Sequence, residues 1–176
     1  MTSKWKRYVV GPNAEGKSAT LLHEAANVQE EPGVFYRATL WKTEEIPVDN
    51  SIASDRAGTD ATREPPRGGM LYRAVEIPPD TADKQAHIEA LQKLHVAVRQ
   101  THAPTAQELA RHPSMHRTDT LDCITCVMGE IWIVTDVDEV LMKPGDSVII
   151  RGTNHAWSNR SDKPALLVGC MIDARK

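Results

Sequence analysis

Two histidines and an aspartate in the C-terminal half of the chain are spaced in a way that could serve catalysis. His116 is followed six residues later by Asp122, and His155 opens a later apolar stretch. Imidazole titrates near neutral pH, and a nearby carboxylate can bind a metal ion or fix the tautomer of the ring. We therefore predict that these three residues are catalytic. Three other residues are predicted to bind substrate, namely Thr118, Trp157 and Asn159.

The sequence around these residues predicts short β-strands joined by tight turns. Five stretches are rich in Val, Ile, Thr or Trp, and turn-forming residues separate them. The predicted strands are Ile124–Met128, Ile131–Thr135, Val140–Lys143, Ser147–Arg151 and His155–Asn159. Strands this short and this regularly interrupted indicate an antiparallel sandwich or barrel rather than a parallel sheet crossed by helices.

Alternation along these strands places the candidate residues on shared faces. Alternate residues of an extended chain point to the same side, so His155, Trp157 and Asn159 share one face. His116 and Thr118 share another in the same way. Imidazole, amide and indole groups are an unusual lining for a packed core because buried polar groups need partners, but they are typical of a binding pocket.

Two motifs in this segment resemble those of the cupin superfamily, whose domains are small jelly-roll barrels. The first motif is an H-x-H unit, an acidic residue four positions on and a glycine seven further, and it is matched by His116-Arg117-Thr118, Asp122 and Gly129. The second is matched, one residue short between its glycines, by Gly145, Gly152, His155 and Asn159. The resemblance implies an all-β cupin barrel with an N-terminal strand extension and a short helical insertion.

The metal-binding part of the first motif is degenerate. Thr118 stands where a second histidine is usual, and Asp122 is shorter than the usual glutamate. His116, Asp122 and His155 would still supply the two-histidine, one-carboxylate set that suits one divalent iron, manganese or zinc ion. The alternative is a metal-free pocket without a cofactor, in which both histidines act directly as general acid and base.

The resemblance implies a small-molecule enzyme and leaves its reaction open. The preferred prediction is a lyase, decarboxylase, isomerase or cyclase that acts on an oxygenated organic metabolite by proton transfer in the barrel pocket. A metal-dependent dioxygenase and a non-catalytic ligand-binding cupin are the alternatives.

The length of 176 residues predicts one domain in three parts. Residues 1–79 hold a long loop, Pro47–Gly69, and four strands, Lys6–Val10, Ala19–His23, Val34–Lys42 and Met70–Ile77. Residues 80–112 show helical spacing, with Thr81 or Asp80 as the first N-cap and Thr105 capping a helix over Ala106–Arg111. Residues 113–174 form the motif core.

Four histidines lie in the helical insertion, namely His87, His95, His102 and His112. We expect at least three of them to be solvated or satisfied by local hydrogen bonds, with His112 as the candidate exception because it lies near His116. Of the cysteines, Cys123 and Cys126 are expected to act as small apolar residues on opposite faces of a strand rather than as a zinc or redox pair.

Composition and charge narrow the functional classes. The net charge is −3 and no basic stripe is interleaved with aromatic residues, which argues against nucleic-acid binding. No apolar run approaches the roughly 18 residues of a membrane span, and no signal peptide is visible, so we expect a cytoplasmic protein without a membrane partner. Exposed edge strands favour a homodimer.

Overall fold

The computed structural model describes residues 4–22, 27–51, 54–58, 62–81, 83–98 and 101–175. Within these ranges the strands are β1 (Val9–Pro12), β2 (Ser18–Leu22), β3 (Asn27–Glu31), β4 (Phe35–Thr43), β5 (Met70–Ile77), β6 (Thr120–Met128), β7 (Ile131–Val134), β8 (Glu139–Met142), β9 (Ser147–Arg151), β10 (Ala156–Ser158) and β11 (Ala165–Asp173). Two helices, α1 (Lys84–Ala97) and α2 (Ala106–Arg111), separate β5 from β6. The predicted all-β fold with a helical insertion is confirmed.

The strands form two main antiparallel sheets and a separate ribbon. The larger sheet has the order β3-β4-β5-β11-β6-β9, and the smaller has the order β10-β7-β8. Strands β1 and β2 pair only with each other. Because β11 lies between β5 and β6, strands distant in sequence are neighbours in the sheet, as is typical of a jelly roll.

Apolar side chains from both main sheets meet in one core. Cys126 and Leu167 of the larger sheet pack with Ile131, Ile133 and Met142 of the smaller one, and all five are buried. Burying an aliphatic side chain of this size contributes about 1.5–3 kcal/mol relative to exposing it. This core holds the two sheets face to face, so that the other inward-pointing residues surround a cavity.

The β6–β7 turn requires Gly129, the glycine of the first motif. Its φ is 73°, in the left-handed region that side chains rarely adopt. A Cβ at this position would also lie 2.6 Å from the carbonyl oxygen of Pro164. Both the conformation and the close approach therefore exclude a side chain.

The strands differ from the prediction in both halves of the chain. β3 and β11 were not predicted, and β6 begins at Thr120 rather than Ile124. β1 begins at Val9 rather than Lys6, and β3 is joined to β4 by a tight turn. The turn begins at Glu31, whose carbonyl accepts a hydrogen bond from the amide of Val34 at 3.0 Å. The β3 sequence NVQEE has a single large apolar residue, so alternation could not reveal this strand. His23, the end of a predicted strand, lies outside the described residues.

Helix α1 packs on the barrel and is capped by Asp83, which was not a predicted cap. Leu91 and Val98 are buried together with Val34. The helix begins after Asp83, whose carboxylate accepts a hydrogen bond from the amide of Ala86 at 3.0 Å. The predicted caps, Thr81 and Asp80, are therefore wrong. Thr105 does cap α2, in a reciprocal capping box with Glu108, as predicted.

Neither helix in the described ranges combines the length and the apolar character needed to cross a membrane. The single-domain organisation and the homodimer stay predictions.

Candidate functional site

A cavity of about 170 Å³ lies between the two main sheets and helix α1. The larger sheet supplies residues from β4, β5, β11 and β6, while His116, His155 and Trp157 face them from the opposite side. His87 and Leu91 of α1 line another part of the wall. His116, Asp122, His155 and Trp157 of the predicted site therefore all line this one cavity.

The backbones of His116 and His155 are paired across the barrel. The amide of each residue donates to the carbonyl of the other, and both N···O distances are 2.9 Å. This isolated antiparallel bridge places the two imidazole rings side by side, with 4.3 Å between their centroids and 55° between their planes. Two residues that are far apart in sequence thus present a pair of imidazoles to the same space.

Backbone carbonyls fix the orientation of both rings. The Nδ1 atom of His116 lies 2.8 Å from the carbonyl oxygen of Ser114, and that of His155 lies 3.0 Å from the carbonyl oxygen of Thr153. A carbonyl can only accept, so each Nδ1 must carry the proton and donate it. In the neutral rings, each Nε2 is then unprotonated and can accept a proton from a ligand.

His155 is held in its neutral form. The residue is only 3% exposed, and this burial lowers the pKa of its imidazole to about 4. The hydrogen bond to the carbonyl of Thr153 raises the pKa, and the charge of Arg63 lowers it further. At neutral pH, His155 therefore offers a neutral acceptor nitrogen.

Asp122 lies on β6 and is held partly in its acid form. The residue is 2% exposed, and burial raises the pKa of its carboxyl group to about 6, against the lowering effects of Thr120 and Arg73. Within the described part of the chain, Asp122 Oδ1 is buried and has no hydrogen-bond partner. A carboxyl group that titrates near pH 6 can either donate or accept a proton under physiological conditions.

Trp157 contacts His155 edge-on. The ring centroids are 6.1 Å apart and the planes are inclined by 77°. The indole is part of the cavity wall and holds one side of the imidazole away from solvent.

Thr118 does not line the cavity. The predicted alternation from His116 fails because the chain leaves extended structure before β6 begins at Thr120. The hydroxyl of Thr118 is buried and lies 2.6 Å from that of Thr120. We therefore leave Thr118 out of the proposed site.

Asn159 also lies outside the cavity wall, because β10 ends at Ser158 and alternation does not continue past it. Its side-chain amide donates to the carbonyl oxygens of Ile77 at 2.9 Å and of Lys163 at 2.8 Å. Its Oδ1 accepts hydrogen bonds from the amide and hydroxyl of Ser161. These bonds give Asn159 a structural role, in which it joins the end of β5 to the β10–β11 turn.

The residues predicted as metal ligands do not fit a three-ligand centre. No group of three His, Cys, Asp or Glu side chains in the described ranges is close enough to hold a metal ion, although His116, Asp122 and His155 line the same cavity. The cavity wall also carries three arginines, whose charges oppose the binding of a cation. We therefore derive no step through a metal.

These three arginines were not among the site residues predicted from the sequence. Arg37 on β4 and Arg73 on β5 are 8% and 5% exposed, and Arg63 reaches the cavity from the segment before β5. Burial lowers the guanidinium pKa of Arg37 and of Arg63 to about 10, and it lowers that of Arg73 as well. A signal was present in β5, because Arg73 shares its alternation with three inward or partly buried apolar residues, Leu71, Val75 and Ile77.

The other histidines are distributed differently from the expectation. His87 lines the cavity, whereas His112, the expected exception, does not and instead contacts the Ser114 hydroxyl at 2.9 Å. His102 lies 3.0 Å from a carboxylate oxygen of Asp119. The side chain of His95 lies outside the described residues. Cys123 and Cys126 are free thiols, of which only Cys126 is fully buried.

Comparison with known proteins gives short matches in sequence. No protein-family model matches the chain. The chain is 48% identical over 48 residues to Phomopsin biosynthesis cluster protein C' of Diaporthe leptostromiformis, covering 27% of this chain and 25% of that protein. It is 44% identical over 50 residues to Oryzines biosynthesis cluster protein J of Aspergillus oryzae, covering 28% of each. The chain thus matches about a quarter of the length of these curated relatives.

Among solved structures, the cupin domain of Cnp3 from Schizosaccharomyces pombe is 12% identical with a TM-score of 0.49, covering 97% of this chain and 88% of that one. An RmlC-like cupin from Shewanella frigidimarina is 10% identical with a TM-score of 0.46, covering 86% of each chain. The fold class follows from the chain's own strand order and from the bridge between its motif histidines. The chain folds as a small antiparallel barrel of the jelly-roll type.

Proposed function

We propose that this protein is a small-molecule enzyme that moves a proton within the barrel cavity. Its reaction would be that of a lyase, decarboxylase, isomerase or cyclase acting on an oxygenated organic metabolite. The observation that carries the proposal is the pair of facing imidazoles, each with Nδ1 bonded to a backbone carbonyl, which makes Nε2 the acceptor nitrogen of the neutral ring. The names of the matched fungal proteins, which refer to biosynthesis clusters, agree with a role in metabolism.

The chain's own groups suffice for proton transfer. A carbon or oxygen acid bound beside His155 would give its proton to the free Nε2, and the carbonyl of Thr153 would stabilise the resulting imidazolium through its bond to Nδ1. Asp122, whose pKa of about 6 lies close to neutrality, can return a proton to another atom of the ligand. The rings and the carboxyl group occupy opposite walls, so removal and return of the proton can take place on different sides of the ligand.

Solvent-deuterium exchange tests proton transfer without knowledge of the complete reaction. The protein is incubated in D₂O with a panel of 2-oxo and 3-hydroxy organic acids, and loss of C–H signals is followed by proton NMR. We expect the wild type to accelerate exchange in at least one compound by about 100-fold or more over the His116→Ala/His155→Ala double variant. Equal exchange by both proteins across the panel would overturn the proposal in favour of a non-catalytic binding protein.

A further inference from the structure

We infer that the cavity binds a small organic anion with two or more carboxylate groups, held by Arg37, Arg63 and Arg73. This inference deepens the proposed function and rests on it for the use made of the ligand. The binding itself can be tested separately. Three buried or half-buried guanidinium groups line one cavity of about 170 Å³.

The three arginines lie close together because the sheet register brings them together. Arg37 on β4 is opposite Val75 on β5, and Arg73 is two residues from Val75 on the same face. Arg73 Nη1 donates to the carbonyl oxygen of Arg63 at 2.6 Å, which joins the third arginine to the pair. The charges of Arg37 and Arg63 both lower the pKa of Arg73, in addition to its burial, as expected for neighbouring like charges.

The described hydrogen-bond partners of the Arg37 and Arg73 guanidinium groups are neutral. Arg37 donates to the amide oxygen of Gln29 and lies 5.1 Å from the ring centroid of Phe35. Arg73 donates to the carbonyl oxygens of Thr62 and Arg63. Among the described residues, none of the three arginines forms an ion pair with a carboxylate.

Some donor capacity remains unused. The Nε atoms of Arg63 and Arg73 are buried and have no hydrogen-bond partner in the described part of the chain. A buried charge without a counter-charge is costly, and folded proteins normally pair such groups. An anionic ligand would supply the missing counter-charge, and its acceptor oxygens would bind the unpaired donor groups.

The carboxylates near the cavity offset the charge of this cluster only in part. Asp122 lines the wall and its charge raises the pKa of Arg73, but among the described residues it forms no ion pair with any of the three arginines. Asp80 also lines the wall, but it is exposed and already accepts hydrogen bonds from Ser158 and Asn159. Glu64 acts on Arg63 and on Asp122 through its charge but does not line the cavity.

The rest of the lining favours a carbon skeleton over a bare inorganic anion. Val75, Ile77, Leu91, Leu167 and Trp157 complete the wall around the arginines and histidines. Planar guanidinium groups match carboxylates in a two-point geometry, so several arginines suit several carboxylates. In this arrangement the arginines orient the acid and stabilise negative charge that develops when a histidine removes a proton.

Calorimetric titration tests the inference directly. The purified protein is titrated with citrate, maleate and 2-oxoglutarate, with butyrate as a monocarboxylate, and with inorganic phosphate and glucose 6-phosphate. We expect measurable binding of at least one polycarboxylate, at least tenfold tighter than butyrate or either phosphate compound. Preference for phosphate or its ester, equal binding of butyrate, or no binding of any polycarboxylate would overturn the inference.

Arginine variants separate a binding role from a structural one. Arg37→Met and Arg63→Met should each weaken polycarboxylate binding by about 10- to 100-fold, and the thermal midpoint of the free protein should stay the same or rise. Arg63→Lys keeps the charge but loses the planar fork, so it should bind with intermediate affinity. Arg151→Met, a change on the exposed face of β9, is the matched control and should bind as the wild type does. Unchanged affinity in both methionine variants would overturn the inference.

The His116→Ala/His155→Ala double variant distinguishes this inference from the proposed function. It should bind the polycarboxylate within about threefold of the wild type while losing deuterium exchange. Binding without exchange in the wild type would refute the proton-transfer proposal and leave the binding inference standing. Exchange on uncharged or monocarboxylate compounds alone would leave the proton-transfer proposal standing and refute the polycarboxylate inference.

Discussion

His116 and His155 form a backbone-bonded pair whose imidazoles lie 4.3 Å apart between centroids, each with Nδ1 bonded to the carbonyl of the residue two positions before it. The similarity of the two arrangements has a consequence for chemistry. Since the same carbonyl contact fixes both tautomers, neither ring needs the other to supply a proton, and Nε2 is the acceptor nitrogen of each neutral ring.

Nitrogen-15 NMR should detect this arrangement in the free protein. We expect the Nδ1–H tautomer at both residues in their neutral form. His155 should stay neutral as the pH is lowered, until about pH 4, because its burial disfavours the charged form. An Nε2–H tautomer at either residue, or titration of His155 at the ordinary histidine value of roughly 6.5, would contradict the site described above.

The sequence could predict the barrel and the pair of histidines. Short strands with apolar alternation, separated by turn residues, predict antiparallel sheets, and β5 and β9 have the predicted boundaries. Alternation also predicted that the side chains of His155 and Trp157 lie on the same face. It failed at Thr118 and Asn159 because neither residue lies within a strand, and a period of two has meaning only in extended structure.

The arginines show a second limit of sequence reasoning. Arg37 lies on a predicted strand whose two faces both mix polar and apolar residues, so alternation does not tell which face is inside. Arg73 shares its face of β5 with Leu71, Val75 and Ile77, so its inward position could have been predicted. Arg63 comes from the long loop, where no periodicity exists to place it. Its position depends on contacts between distant parts of the chain, including the bond from Arg73 to its carbonyl oxygen.

The Asp122→Asn variant should reveal how His155 affects stability. The pKa of His155 is lower in the folded protein than in the unfolded chain, so the unfolded state binds more protons between about pH 4 and 6.5. The free energy of unfolding should therefore rise with pH across this window, by on the order of 3 kcal/mol. Urea unfolding from pH 4 to 8 measures it. A flat profile in this variant would show that His155 is not desolvated as described.

In the His155→Gln variant, the free energy of unfolding should change with pH in the opposite direction. The pKa of Asp122 is raised to about 6 in the folded protein, so the folded state binds more protons between about pH 4 and 6. The free energy of unfolding should then fall as the pH rises through this window, by on the order of 3 kcal/mol. In the wild type the two contributions oppose each other, and its profile should be flatter than that of either variant. The slopes, not the absolute stabilities, are the quantities to compare.

Asn159 should behave as a structural residue. Replacing it with Ala removes the amide donor to the carbonyl of Ile77 and one of two donors to the carbonyl of Lys163, which also accepts from the Ser161 hydroxyl. We expect a loss of about 1–3 kcal/mol in the free energy of unfolding. Asn159→Asp should be worse, because it directs a carboxylate oxygen at those carbonyls. If either variant instead kept its stability and lost ligand affinity in the calorimetric assay, the originally predicted substrate-binding role would be restored.

Metal addition should leave the protein almost unchanged. Two imidazoles remain as candidate ligands, because no three suitable side chains meet in the described ranges, and the arginines nearby disfavour a cation. We expect an excess of Zn²⁺, Mn²⁺ or anaerobic Fe²⁺ to shift the thermal midpoint by less than about 1 °C, since a ligand stabilises only in proportion to its affinity for the folded state. The control is the same titration of the His116→Ala/His155→Ala variant after treatment with EDTA. Retention of one equivalent of metal through dialysis by the wild type, but not by this variant, would show that the imidazoles form a metal centre and would replace the direct acid–base role assigned to them.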